Sequence, residues 1–135
     1  MKKLIKILMK LSKNFHNEEK ELNALGINTW ESIMNIGDSQ INDLVKNTLC
    51  TTRNLMRLRC IAMLICELSI SQEESALLMH SGISSIKALR DLTPHELLRR
   101  TGRFERIMQI RRKPIINLEK ANCLIKEART RQNFK

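Results

Sequence analysis

The sequence predicts an all-α fold made of two tandem helical repeats packed into one compact domain. Three observations carry that expectation. Apart from 16 isoleucines, which alone speak for strands, residues that favour sheets are almost missing, with one valine, no tyrosine, one tryptophan and three phenylalanines, while Leu, Met, Lys, Arg and Glu are abundant. Apolar residues recur at helical spacing in one segment after another, framed by helix caps. The pattern then starts again about half-way along the chain. With 135 residues, 42% of them apolar, the chain has the material for one domain, or two very small ones, with a real core.

Leu4, Ile5, Leu8 and Leu11 form a stripe surrounded by lysines, so residues 2–13 read as an amphipathic helix. Its apolar face lacks a Trp or Phe to anchor it in lipid, which favours a core helix over one lying on a membrane surface. Lys6 and Lys10 interrupt it too early for a secretion signal, and no segment has the roughly 18 apolar residues needed to cross a bilayer. Asn17 is placed to cap a second helix of about nine residues, with Glu18 and Glu19 in its first turn and Gly26 as its left-handed stop. Asn28 or Thr29 opens a single turn carrying Trp30 and Ile33. Asp38 or Ser39 starts a short helix with Ile41, Leu44 and Val45. A longer helix follows from about Thr52 to Leu68, with Leu55, Leu58, Ile61, Ala62 and Ile65 at helical spacing.

Ser71 and Glu74 then make a capping box, the next helix runs through Leu77 and Met79, and Gly82 ends it. Ser84 or Ser85 opens a short turn with Ile86 and Leu89. Thr93, Pro94 and Glu96 supply the N-cap, the first-turn proline and the capping-box acid of another helix. An arginine-dense stretch from Arg99 to Lys113 is closed by Pro114, and a final helix carries Leu118, Ala121, Leu124, Ile125 and Ala128. Laid over each other, Leu22, Gly26, Ile27, Ile33 and Ile41 fall 56 positions before Leu78, Gly82, Ile83, Leu89 and Leu97, and Leu58, Leu64 and Ile65 fall 60 before Leu118, Leu124 and Ile125. Repeat 1 therefore spans about 2–68 and repeat 2 about 69–131. Each is too small to bury its own apolar faces, so the copies are expected to share one core.

The segment Leu77 to Ile86, and more weakly Leu22 to Ile33, looks like a helix-hairpin-helix element ending in a Gly-Ile turn. The paired arrangement resembles a bacterial domain-of-unknown-function family with helix-hairpin-helix-like repeats that is common in photosynthetic bacteria. The resemblance implies an all-helical fold and nucleic-acid binding. Such elements hold a phosphate on bare backbone N–H groups at a glycine hairpin leading into a helix. Here the hairpin positions are Ser69, Ile70, Ser71 and Gln72 in one copy and Lys13, Asn14, Phe15 and His16 in the other, with no glycine in either. Ser69, Ser71 and Gln72 are accordingly secondary candidates for phosphate contact.

Charge makes the stronger argument. The chain has a net charge of +10. Residues 1–67 carry 10 basic and 7 acidic groups, whereas residues 68–135 carry 14 and 7, so the excess is concentrated in the second half. Arg99, Arg100, Arg103, Arg106, Arg111, Arg112 and Lys113 are the candidate nucleic-acid-binding residues, since guanidinium groups bind phosphate bidentately where lysine acts as a point charge. Trp30 occupies an apolar repeat position and reads as core. Phe104 is the one aromatic placed to stack on a base, although a core role suits it better.

Cys50, Cys60, Cys66 and Cys123 contain no C-x-x-C pair, and His16, His80 and His95 stand at no ligand spacing to them, so no metal or other cofactor is expected. The cysteines read as small apolar fillers in a reducing cytoplasm. No catalytic grouping or Gly-rich phosphate loop can be named, which argues against an enzyme and a small-molecule substrate. Two functions lead, with attachment to a membrane surface through Met1 to Lys13 as a minor third. One is a small cytoplasmic module that binds DNA or RNA through sequence-independent phosphate contacts; the other is an adaptor that docks an acidic protein.

Overall fold

The computed structural model describes residues 15–109 and 114–132. The helix expected over 2–13, the hairpin residues Lys13 and Asn14, and the candidates Arg111, Arg112 and Lys113 lie outside the described residues. All of the regular structure described is helical, and the chain divides into two compact units, Met1–Cys66 and Glu67–Lys135.

In the first unit, α1 (His16–Ala24), α2 (Trp30–Met34), α3 (Asp38–Asn47) and α4 (Thr52–Glu67, whose last residue belongs to the second unit) follow one another through short corners. Leu22, Trp30, Ile33, Ile41, Leu55, Leu58 and Ile61 are buried. The expected stop at Gly26 is a Schellman motif: Gly26 holds φ at +78°, Ile27 N–H donates to the Leu22 carbonyl at 2.9 Å and Gly26 N–H to Asn23 at 3.0 Å. Thr29, of the two caps considered, closes a reciprocal box with Ser32. Two other caps differ from expectation. α1 begins one residue before Asn17, at the point where Phe15 is buried, so tertiary packing rather than an asparagine cap fixes its start. Gly37, rather than Asp38 or Ser39, precedes α3, and Asp38 instead meets Arg59 at 2.9 Å. Arg59 also donates to the Ile36 carbonyl at 3.0 Å, which ties α4 to the α2–α3 corner. Glu18 is buried because its carboxylate accepts the Thr51 N–H at 2.9 Å and Asn54 Nδ2 at 3.3 Å, satisfying donors where α4 begins.

The second unit contains α5 (Gln72–His80), α6 (Ile86–Arg90), α7 (Pro94–Ile107) and α8 (Leu118–Gln132). Its caps follow the sequence closely. Ser71 and Glu74 form the reciprocal box, Ser85 caps α6, and Thr93 Oγ1 accepts the Glu96 N–H at 3.1 Å. Gly82, at φ +87°, completes a second Schellman motif with Ile83 N–H on the Leu78 carbonyl. α8 packs against α6 and α7 through Ala121, Leu124, Ile125 and Ala128, all buried. Arg129 on α8 donates to the carbonyls of Arg90 and Leu92, both at 3.3 Å, and so holds the α6–α7 corner.

Candidate nucleic-acid interface

α7 is amphipathic in an unusual sense: its inward stripe is Leu97, Thr101 and Glu105, each one helical turn from the next and all buried, while its exposed surface carries Arg99, Arg100, Arg103 and Arg106. Four of the seven basic candidates therefore lie on one helix. Glu96 in the first turn takes its amide bond to Thr93 but aims its carboxylate at Arg99 (3.0 Å) and Arg100 (3.7 Å) instead of closing a capping box. Both contacts are solvent-exposed and worth little. Arg103 and Arg106 make no ion pair among the described residues, so the helix surface keeps a net positive charge.

α5 lies beside α7. From its last turn His80 lays its ring on Phe104, with 5.4 Å between centroids and 5° between planes. Phe104 is thus half-buried, neither a full core residue nor a free platform. Around the pair opens a hollow of about 580 Å³, lined also by Arg99, Arg100, Arg103, Ser81 and Ile107. Ser81 Oγ has no hydrogen-bond partner among the described residues. The first unit has a hollow in the matching place, between α1 and α3, but Glu21, Ala24, Gln40, Asp43 and Leu44 line it. Among the described residues it offers no cation and no ring.

The hairpin candidates sit apart from this surface, at the corner before α5. Ser69 N–H donates to the Glu127 carboxylate at 3.1 and 3.3 Å, its hydroxyl bonds the same group at 3.3 Å, and Lys120 Nζ donates to its carbonyl at 3.2 Å. Ser71 N–H is taken by Glu74 Oε1 at 2.9 Å. Carboxylates of the chain itself occupy the donors that a glycine hairpin would turn toward a phosphate. Gln72, the first residue of α5, makes no such side-chain bond among the described residues.

A family model for a domain of unknown function, DUF4332, matches residues 12–131. The chain belongs to the DUF4332 family. No curated protein and no solved structure matches it. The match spans both units of the DUF4332 chain and includes every residue of the α7 hollow, but its description assigns no activity, so the hollow is read from its own chemistry. Among the described residues of this DUF4332 domain, no three His, Cys, Asp or Glu residues are grouped as metal ligands, and no helix is long and apolar enough to cross a membrane. The cysteines are free; Cys50 is buried, Cys60 and Cys66 are partly so, and Cys123 is exposed rather than filling a core position. Sequence reasoning missed three of the lining residues, Ser81, Ile107 and above all His80. Its meeting with Phe104 depends on how α5 and α7 cross, which no local pattern records.

Proposed function

We propose that this DUF4332 protein is a small helical module that binds nucleic acid through phosphate contacts made by Arg99, Arg100, Arg103 and Arg106, with Arg111, Arg112 and Lys113 continuing the basic run. The observation that carries this reading is the α7 surface, where four guanidinium groups face solvent against one competing carboxylate. Side-chain guanidinium groups supply the contacts in place of a backbone clamp, in keeping with corner amides that are already engaged. The recurrence of a nine-residue helix, a left-handed glycine stop, a five-residue helix and two longer helices supports tandem helix-hairpin-helix-like repeats within one domain. The module acts in the cytoplasm by binding, without catalysis.

The test is the salt dependence of binding to a labelled duplex. The logarithm of affinity should fall with the logarithm of salt at a slope of about 0.9 per neutralised phosphate. Replacing Arg99, Arg100, Arg103 and Arg106 by Gln in groups should flatten the slope, whereas Gln72→Ala should leave it nearly as steep. A second reading, an adaptor for an acidic protein, is favoured by Ile107 and Met108, which are 66% and 58% exposed at the end of the basic helix. That reading expects negligible nucleic-acid binding at physiological salt and a protein partner whose capture survives nuclease.

A further inference from the structure

We infer that the α7 hollow seats one unpaired nucleobase on the Phe104–His80 stack while Arg99, Arg100 and Arg103 hold its flanking phosphates, so that the protein prefers single strands to duplex. The inference rests on the nucleic-acid reading above and narrows it to a substrate class. Three features converge. Parallel rings in contact lie about 3.5 Å apart, so centroids 5.4 Å apart mean a sideways displacement of about 4 Å. Each ring therefore leaves part of its inner face uncovered by the other, and both rings line the hollow. At about 580 Å³ the hollow falls within the range, roughly 300–1,000 Å³, of clefts that take a small organic ligand. Finally, the cations that border the rings lie on the same helix as Phe104, Arg100 one turn before it and Arg103 next to it, which matches the alternation of base and phosphate along a strand.

In a duplex every base face is covered by its neighbours, and only the phosphates remain to be bound. A single strand offers both. Among the described residues, the matching hollow of the first unit has Asp43 and Glu21 and no ring or cation to form such a seat.

The probes are dT12, a twelve-residue abasic strand with the same phosphates, a twelve-base-pair duplex and U12, compared by fluorescence anisotropy at one salt concentration. The parent protein should bind dT12 or U12 about tenfold more tightly than the abasic strand, the size expected for stacking one base, and more tightly than the duplex; the two strands together show whether DNA or RNA is preferred. Phe104→Leu should bring the ratio of dT12 to abasic affinity close to one, and Phe104→Trp should preserve it. Should Phe104→Leu lose its circular dichroism, Phe104→Trp decides alone, since a stacked base should quench its indole emission on dT12 and not on the abasic strand. Equal affinity for dT12 and abasic strand, or a preference for duplex, overturns the base seat and leaves phosphate binding standing. Binding to none of the four probes at low salt overturns both.

Discussion

Gly26 and Gly82 have nothing within 4 Å of where a Cβ would stand, so what excludes other residues there is the backbone angle and not space. Gly82→Ala should cost about 1 kcal/mol in denaturant unfolding, and Gly82→Val more, because a branched Cβ fits the left-handed region worst. The same conformation ends α7 at Gln109, with φ +58° and its N–H on the Arg106 carbonyl, but without a glycine. Gln109→Gly should therefore raise stability by a few tenths of a kcal/mol up to about 1, the gain being trimmed by the extra freedom of glycine in the unfolded chain. Both glycine stops were legible in the sequence because glycine itself is the signal. The glutamine stop was not. At the thiols, burial pushes Cys50 above its ordinary value of 9.0, with Glu18 and Glu21 adding to the shift against a hydrogen bond from Thr48, and burial alone raises Cys60. A thiol whose pKa is raised by folding keeps its proton after the unfolded chain has lost it. Its contribution is complete below pH 9 and declines above. Unfolding at pH 8 and pH 10 should show that decline, and iodoacetamide at pH 8 should label Cys123 well before Cys50.

The helix ends were legible wherever the cap is local, as at Ser71, Ser85 and Thr93, and were misplaced where a distant group decides. Glu18 shows why: it reads as a helpful acid in the first turn of α1, yet its carboxylate is buried on the Thr51 amide, 33 residues on. Glu18→Ala should cost about 1–3 kcal/mol by leaving that donor unmet, more than a first-turn acid is worth. Glu96 presents the opposite case, because under the proposed function it would serve stability and oppose binding at once. As a negative charge at the start of α7 it stabilises the helix by about 0.3–1 kcal/mol, and as the partner of Arg99 and Arg100 it competes with a phosphate. Glu96→Gln should lower the midpoint of thermal unfolding slightly and tighten nucleic-acid binding a few-fold at low salt. A loss of affinity would mean that Glu96 positions the arginines for the ligand and does not compete with it.

The chain as a whole was legible as helices, stops and a charged second half, since each of these is written in composition or in spacings of three and four residues. Which helix lies against which is written nowhere so short, and the Phe104–His80 contact was lost with it. α4 runs to Glu67, α5 starts at Gln72, and Leu68 and Ile70 between these two helices are buried. The proposal that both repeats form one domain expects a single calorimetric transition, and two resolved transitions would show that the units unfold independently. The paired hollows carry a further consequence. One scaffold supports a cationic, aromatic basin between α5 and α7 and an anionic, aliphatic one between α1 and α3, so the backbone tolerates either lining. Under the proposed reading, relatives that keep an aromatic pair and guanidinium groups at the positions of His80, Phe104, Arg99 and Arg103 are expected to bind nucleic acid, and relatives with the lining of Ala24, Leu44 and Asp43 in both places are expected to fold alike and not to bind it.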